Sequence, residues 1–364
     1  MKFTVENKIF LDGIKTVQRV SFGNVGITAL DGILIRAYKK EIILIGGDKN
    51  LCIETRIKAD VREEGSIVVD SKIFGDIIRK LPNALVEINK IDDKYIQILC
   101  EKDVANLVYK SEEVFPEIPS IKENIMISLP QKIMKNMIKG TIFASSQDGI
   151  KPIFSGVLFD FKDNKLNMVA LDGYRAALLH HFIENDAVIS AIIPAKTLNE
   201  IEKILEWEQG EIEITFTTNH ILFTLGKTKI ISRLLEGDFG RYESYIPEEY
   251  KLKIIVKRKD FINSLERASI ISREGNKSLV VLDVHEDNMT ITANSQLGTS
   301  RSELNIVSNH IPMTIKFNSR YLIDAINTLE EDEIVIEFTN KYSVCVIKNK
   351  SSDNYIHIIS PVRM

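Results

Sequence analysis

MKFTVENKIFLDGIKTVQ, residues 1–18, decides how this chain is read, because its plan returns five more times. Phe3, Thr4 and Val5 form a short β-prone run, Glu6 and Asn7 break it, and Phe10, Leu11, Ile14 and Val17 then fall on one face of a 3.6-residue helix. The same order of chemical types recurs as SIVVDSKIFGDIIRKL (66–81), IMISLPQKIMKNMIKG (125–140), SAIIPAKTLNEIEKIL (190–205), LKIIVKRKDFINSLERA (252–268) and MTIKFNSRYLIDAINTL (313–329). An interval near sixty residues marks an architecture of repeated units.

A coarser repeat lies over the fine one. Copies one, three and five open domain-sized stretches that close on similar segments: EEVFPEIP (112–119), EGDFGRYESYIP (236–247) and NYIHIISPVRM (354–364). The reading is three domains of two half-repeats each, 1–123, 124–249 and 250–364, with both joints in polar sequence just past a proline.

Between the helices the chain alternates apolar and polar residues in GILIRAYKKEIILIGGD (32–48), YIQILCEKDVANLVYK (95–110), KLNMVALDG (165–173), EIEITFTTNHILFTLG (211–226) and EIVIEFTNKYSVCVIKN (333–349). Strands that follow one another through short polar turns predict antiparallel meanders and an α+β fold, not a parallel crossover sheet.

Composition places the chain among soluble globular proteins: 44% of residues are hydrophobic, 27% are charged, and no apolar run approaches the ~18 residues of a membrane span. The N-terminal MKFTVENK carries no signal-peptide core, which predicts a cytoplasmic protein without membrane partners. Cys52, Cys100 and Cys345 lie far apart in strand-like runs without metal-ligand spacing and read as buried core thiols.

The helices have a second face, and it is basic. Lys8, Lys15 and Arg19 stand opposite the first apolar stripe, and Lys72, Arg79 and Lys80 oppose Ile73, Phe74, Ile77 and Ile78. Lys132, Lys135 and Lys139 oppose Ile133, Met134, Met137 and Ile138. The later helices are mixed: Lys196 and Lys203 share a face with Glu200, Lys259 and Arg267 with Asn263, and Arg320 stands near Asp324. Helical windows 7–20, 71–81, 131–143, 195–206, 257–271 and 319–329 together carry +8, whereas the whole chain is −4, which leaves −12 elsewhere. Any one lysine-rich face is what a solvated helix presents; the bias across pseudo-equivalent helices points to a polyanion on one surface.

Catalytic readings find little support. Asp172 to Arg175 offers an acid and a cation, and His180-His181 offers two imidazoles, but adjacent strand residues point to opposite faces and do not share one ion. His220, His285, His310 and His357 are scattered, and phosphate-loop, zincin and nucleophile-elbow patterns are absent, so neither catalysis, a cofactor nor a metal is expected.

MKFTVE (1–6), ALDGYRAAL (170–178), LLEGDFGRYESYIP (234–247) and ISPVRM (359–364), in this order and spacing, resemble the β subunit of bacterial DNA polymerase III, the replicative sliding clamp, from end to end. The resemblance implies a non-catalytic homodimeric ring with the DNA clamp fold, two head-to-tail protomers whose helices face double-stranded DNA independently of sequence. The cations implied to face DNA are Lys8, Lys15, Arg19, Lys72, Arg79, Lys132, Lys135, Lys139, Lys196, Lys203, Lys259 and Arg267, with segments around Asn24 and Asp148 at family DNA positions. It also implies a pocket for short motifs of the polymerase III α subunit, the clamp loader, other polymerases and repair proteins. That pocket combines Phe154, Leu171, Gly173, Tyr174, Arg175 and Ala176 with Gly240, Ser244 and Tyr245, and with Ile358, Ser360, Pro361, Val362, Arg363 and Met364 of the tail. Gly240, Ser244 and Tyr174 replace the family's usual proline, arginine and histidine, which bears on peptide preference. The protomer contact is expected where strand 104–109, with Leu107, meets Ile270 and Ile271.

Overall fold

The computed structural model describes residues 1–21, 32–119, 121, 125–147, 151–184, 187–205, 210–272 and 278–362. Among them are six α-helices, one per copy of the repeat: α1 (Asn7–Gln18), α2 (Ser71–Lys80), α3 (Gln131–Ile142), α4 (Ala195–Ile204), α5 (Arg258–Ser272) and α6 (Ser319–Asn327). The chain divides into two compact units, one of Met1–Met134 with Lys196–Leu234, the other of Lys135–Ala195 with Leu235–Met364.

The first unit carries one continuous run of thirteen strands. Lys2–Glu6, Leu85–Lys90, Tyr95–Cys100 and Asp103–Lys110 form one antiparallel group, and Gly65–Asp70, Gly32–Tyr38, Glu41–Gly47 and Leu51–Lys58 another. The groups join where Val68 and Val69 face Lys110 and Tyr109. The run continues from Leu51–Lys58 into Thr228–Arg233, His220–Leu225, Glu211–Phe216 and Ile125–Pro130. Inside, Phe10 of α1 meets Phe3 and Phe74 edge to face, with centroids 6.0 and 5.7 Å apart, each pair worth about 0.5–1.5 kcal/mol beyond the area it buries.

The second unit holds a nine-stranded and a four-stranded sheet. In the larger sheet Gly156–Lys162, Lys165–Leu171 and Arg175–Phe182 lead through Tyr355–Ile359 to Cys345–Asn349, Glu333–Phe338 and Leu252–Lys257. Phe261, Leu265 and Ala268 of α5 and Leu322, Ala325 and Ile326 of α6 are buried in one core with Phe317, Phe338, Val280 and Ile291. Every strand pair in the described residues is antiparallel, as the meander reading requires. The three cysteines are free and buried.

Two helix faces differ from the sequence reading. On α2 the buried positions are Ser71, Phe74, Gly75 and Ile78, while Ile77 is half-buried and Ile73 is 51% exposed. Gly75 has no side chain and sits against Gln18 of α1, so the buried face turns toward the small residues and leaves Ile73 about 150° from its centre at 100° per residue. On α3, Lys135 is buried with 7% exposure, unlike Lys132 and Lys139. It lies about 60° from Ile138 around the helix, close enough to the apolar stripe for its methylenes to be covered.

Candidate peptide pocket and basic helix faces

The pocket begins at the turn between strands Lys165–Leu171 and Arg175–Phe182. One carboxylate oxygen of Asp172 accepts from the backbone N–H of Tyr174 (2.8 Å) and of Arg175 (3.0 Å), and Gly173 takes φ +91°. A Cβ on Gly173 would meet nothing within 4 Å, so glycine is required by the left-handed backbone and not by crowding.

Arg175 is 12% exposed and its guanidinium is held on three sides. Nε donates to Asp172 Oδ2 (3.0 Å), Nη1 to Asp324 Oδ2 (2.6 Å) and Nη2 to the Phe143 carbonyl (2.7 Å). Its carbon lies 4.5 Å from the Tyr321 ring centroid and 5.2 Å from that of Phe143. Tyr174, 62% exposed, stacks on Tyr321 at 6.5 Å and 26°.

Beside this turn Leu171, Ala176 and Ile358 are buried in one apolar cluster with Leu158, Val169, Phe239 and Val346, and Phe154 packs on its rim edge to face with Phe239 at 5.7 Å. The tail is stitched in: Arg175 and Ala176 pair with Ile359 and Ile358, Ser360 N–H donates to the Tyr174 carbonyl (2.8 Å), and Val362 N–H to the Lys316 carbonyl (2.8 Å). Ser360, Pro361 and Val362 are half-buried. Arg363 and Met364 lie outside the described residues, as do Asn24 and Asp148. Gly240 has φ +83° and is exposed. Ser244 turns its hydroxyl to the Arg241 carbonyl (2.7 Å), and Tyr245 is exposed.

Tyr321, Asp324, Phe143 and Phe239 adjoin the candidate pocket and were not among the residues that sequence reading gave it. Asp324 had a visible helical neighbour in Arg320, but its carboxylate goes to Arg175, which arrives from a strand 149 positions earlier. No local pattern announces such a partner.

The basic faces sort into two classes. Lys15 pairs with Asp12 (3.6 Å), Arg79 with Asp76 (2.7 Å), Lys203 with Glu200 (2.7 Å) and Arg19 with Glu200 (4.0 Å), while Arg267 donates to Ser264 (2.9 Å) and Ser302 (3.4 Å). By contrast Lys8, Lys72, Lys132, Lys196, Lys259 and Arg320 are exposed and have no carboxylate within 4.0 Å among the described residues. These six are the second residue of α1 to α6 in turn. A cation there opposes the helix dipole at a cost of about 0.3–1 kcal/mol, and only α5, with Asp260, has an acid in its first turn. The regularity was legible in the six repeats once their helix starts were aligned, and it adds Arg320 to the set.

Two further expectations have a structural setting. Residues 103–108 of strand Asp103–Lys110 pair with Tyr95–Cys100, but on the strand's other side only Tyr109 and Lys110 are paired among the described residues, so the rest of that edge is open there, with Val104 and Val108 exposed. Leu107 is half-buried, Ile270 is exposed, and Ile271 packs on the α5–α6 core. His180 and His181 sit opposite Asn167 and Leu166, and the described residues contain no group of three or more His, Cys, Asp or Glu able to hold a metal. Among the described residues no helix is long and apolar enough to cross a membrane.

Family models of the DNA polymerase III beta subunit match the chain in series: the N-terminal domain over residues 1–119, the central domain over 128–241 and the C-terminal domain over 243–363. Beta sliding clamps from Halalkalibacterium halodurans and Staphylococcus aureus are 32% and 30% identical over all of this chain and 100% and 99% of theirs. The crystal structure of the Bacillus subtilis DNA polymerase sliding clamp superposes with TM-score 0.97 at 29% identity, covering 100% of this chain and 99% of that one.

Proposed function

This chain belongs to the DNA polymerase III β-subunit family, the non-catalytic sliding clamps of bacterial replication, and from that premise we propose how its own residues do the work. Two protomers join head to tail into a ring, each contributing domains 1–123, 124–249 and 250–364. The open edge of strand Asp103–Lys110 in one protomer, with Leu107, meets the Ile270 and Ile271 end of α5 in the other. The ring works in the cytoplasm at the replisome, encircles duplex DNA and tethers the polymerase III α subunit, the clamp loader and other polymerases and repair proteins through short motifs. Those motifs seat in the pocket of Phe154, Leu171, Tyr174, Arg175, Ile358 and the tail.

The observation that carries the DNA reading is the cation at the second position of every helix. Six residues placed where the helix dipole disfavours them, and with no carboxylate partner among the described residues, are positions kept for something other than local stability. Point charges on flexible stems suit phosphates, because backbone contacts hold the duplex without reading its sequence and permit sliding. Affinity for open DNA is then low and falls steeply with salt.

The test is retention on nicked circles against the same DNA linearised. Wild-type protein should stay on circles and run off linear molecules, and equal retention on both would falsify topological linkage. Changing Lys8, Lys72, Lys132, Lys196, Lys259 and Arg320 to glutamate should abolish loading, while thermal stability holds or rises because glutamate suits a helix N-terminus. A charge-reversed ring that still loads and slides normally moves the DNA contact to other residues.

A further inference from the structure

Arg175 has five N–H donors, and its environment leaves it little to offer a ligand. Three are used within hydrogen-bond distance, two of them on carboxylates, so the cluster of Arg175, Asp172 and Asp324 carries a net charge of −1. The guanidinium carbon also lies over two rings, 4.5 Å from the Tyr321 centroid and 5.2 Å from that of Phe143. Yet Tyr174, the adjoining residue, is the most exposed aromatic of the site and stacks, offset, against the same Tyr321 ring at 6.5 Å and 26°. The Tyr174 backbone is pinned at both ends, its N–H by Asp172 and its carbonyl by Ser360 of the tail.

We propose that Asp324 is a positioning residue for the peptide pocket. With Asp172 it clamps Arg175 as a pier that docks the strand turn onto α6 and holds Tyr174 over Tyr321, and Arg175 is not a charge offered to the peptide. The inference rests on the peptide-pocket reading given above. It adds a specificity: the pocket selects apolar and aromatic anchors, and an acidic residue of a motif gains nothing from Arg175 because two carboxylates already neutralise it. Tyr174, where the family commonly has histidine, gives the second ring of an aromatic wall for such an anchor.

The experiment uses the full-length dimer and a fluorescein-labelled pentapeptide with leucine and terminal phenylalanine anchors, made with and without one aspartate. For wild-type protein the two peptides should bind within about twofold of each other. Asp324→Asn keeps the side-chain volume but removes one of the two charges on Arg175. It should weaken the neutral peptide by about tenfold, as a charge-assisted hydrogen bond becomes a neutral one, and shift the preference severalfold toward the aspartate peptide as the hold on Arg175 loosens. Dimerisation should stay within error, and a purely structural lesion would instead lower both affinities alike, without moving their ratio. Tyr321→Leu removes the platform but not the charge balance, and should weaken both peptides without changing their ratio. The proposal is overturned if Asp324→Asn leaves both affinities within twofold of wild type, or if wild type already prefers the aspartate peptide tenfold. Deleting residues 360–364 is the separate control: unchanged peptide affinity there would sink the pocket reading itself, and this inference with it.

Discussion

At the residue scale, His357 shows how tertiary packing sets a chemistry the sequence leaves open. Its ring is fully buried, edge to face with Phe143 at 5.5 Å, and Nε2 lies 2.7 Å from the Thr328 hydroxyl. Thr328 gives its one proton to the Ala325 carbonyl (2.8 Å), so Nε2–H is the donor to Thr328, and Nδ1 has no partner among the described residues. Burial in apolar surroundings pushes the imidazole pKa down to about 3. The unfolded chain therefore takes up a proton near pH 6.5 that the folded protein refuses, and stability falls as pH drops below 6.5, by about 1.4 kcal/mol per unit. His180 and His181, also lowered by desolvation, act in the same direction, so the difference between variants isolates His357. In urea unfolding between pH 6.5 and 5, His357→Gln should lose about 2 kcal/mol of the wild-type pH dependence; an unchanged slope would mean that the ring protonates in place. The cysteines are the simpler case. Their strand positions announced burial, and the thiols of Cys52 and Cys345 are pushed up to about 12 by it, which makes them poor nucleophiles.

Helices are where sequence reading did best and where it slipped. Their existence, and the basic faces of the first three, followed from spacing alone, but the rotation of each about its axis did not. Ile73 and Lys135 show why: the buried face is chosen by what the neighbouring element can accept, here Gly75 and Ser71 against α1, and not by the most hydrophobic set. The consequence can be measured on α3. Lys132→Glu should leave the thermal midpoint unchanged or raise it slightly, since the residue is exposed in the first turn. Lys135→Glu, with its charge reversed in a covered site, should cost on the order of 2 kcal/mol or more. Equal midpoints for the two variants would show that Lys135 reaches solvent, as the periodicity first suggested.

For the whole molecule, assembly is the property most sensitive to one residue. Ile270 is 62% exposed at the end of α5, whereas Ile271 belongs partly to the core of its own unit. Replacing both would confuse unfolding with dissociation. Ile270→Asp alone should yield well-folded monomers in sedimentation at micromolar concentration that no longer stay on circular DNA, because a lone carboxylate buried at an interface costs several kcal/mol. A variant that remains dimeric moves the protomer contact away from this end of α5.

What the sequence determined by itself was the periodic part of the protein: six strand-and-helix units, antiparallel meanders, buried thiols, and basic faces on the first three helices. These depend on residues a few positions apart, whose spacing maps directly onto the geometry of helix and strand. Only the tertiary structure decided the rotation of α2 and α3, the neutral state of His357, and the partners of Arg175. The Phe143 carbonyl, just past α3, and Asp324 of α6 reach the Arg175 guanidinium from far away in the chain, and the tail pairs with the Arg175 backbone. Packing and low-dielectric pairing act on distance in space, and a linear pattern does not carry that distance.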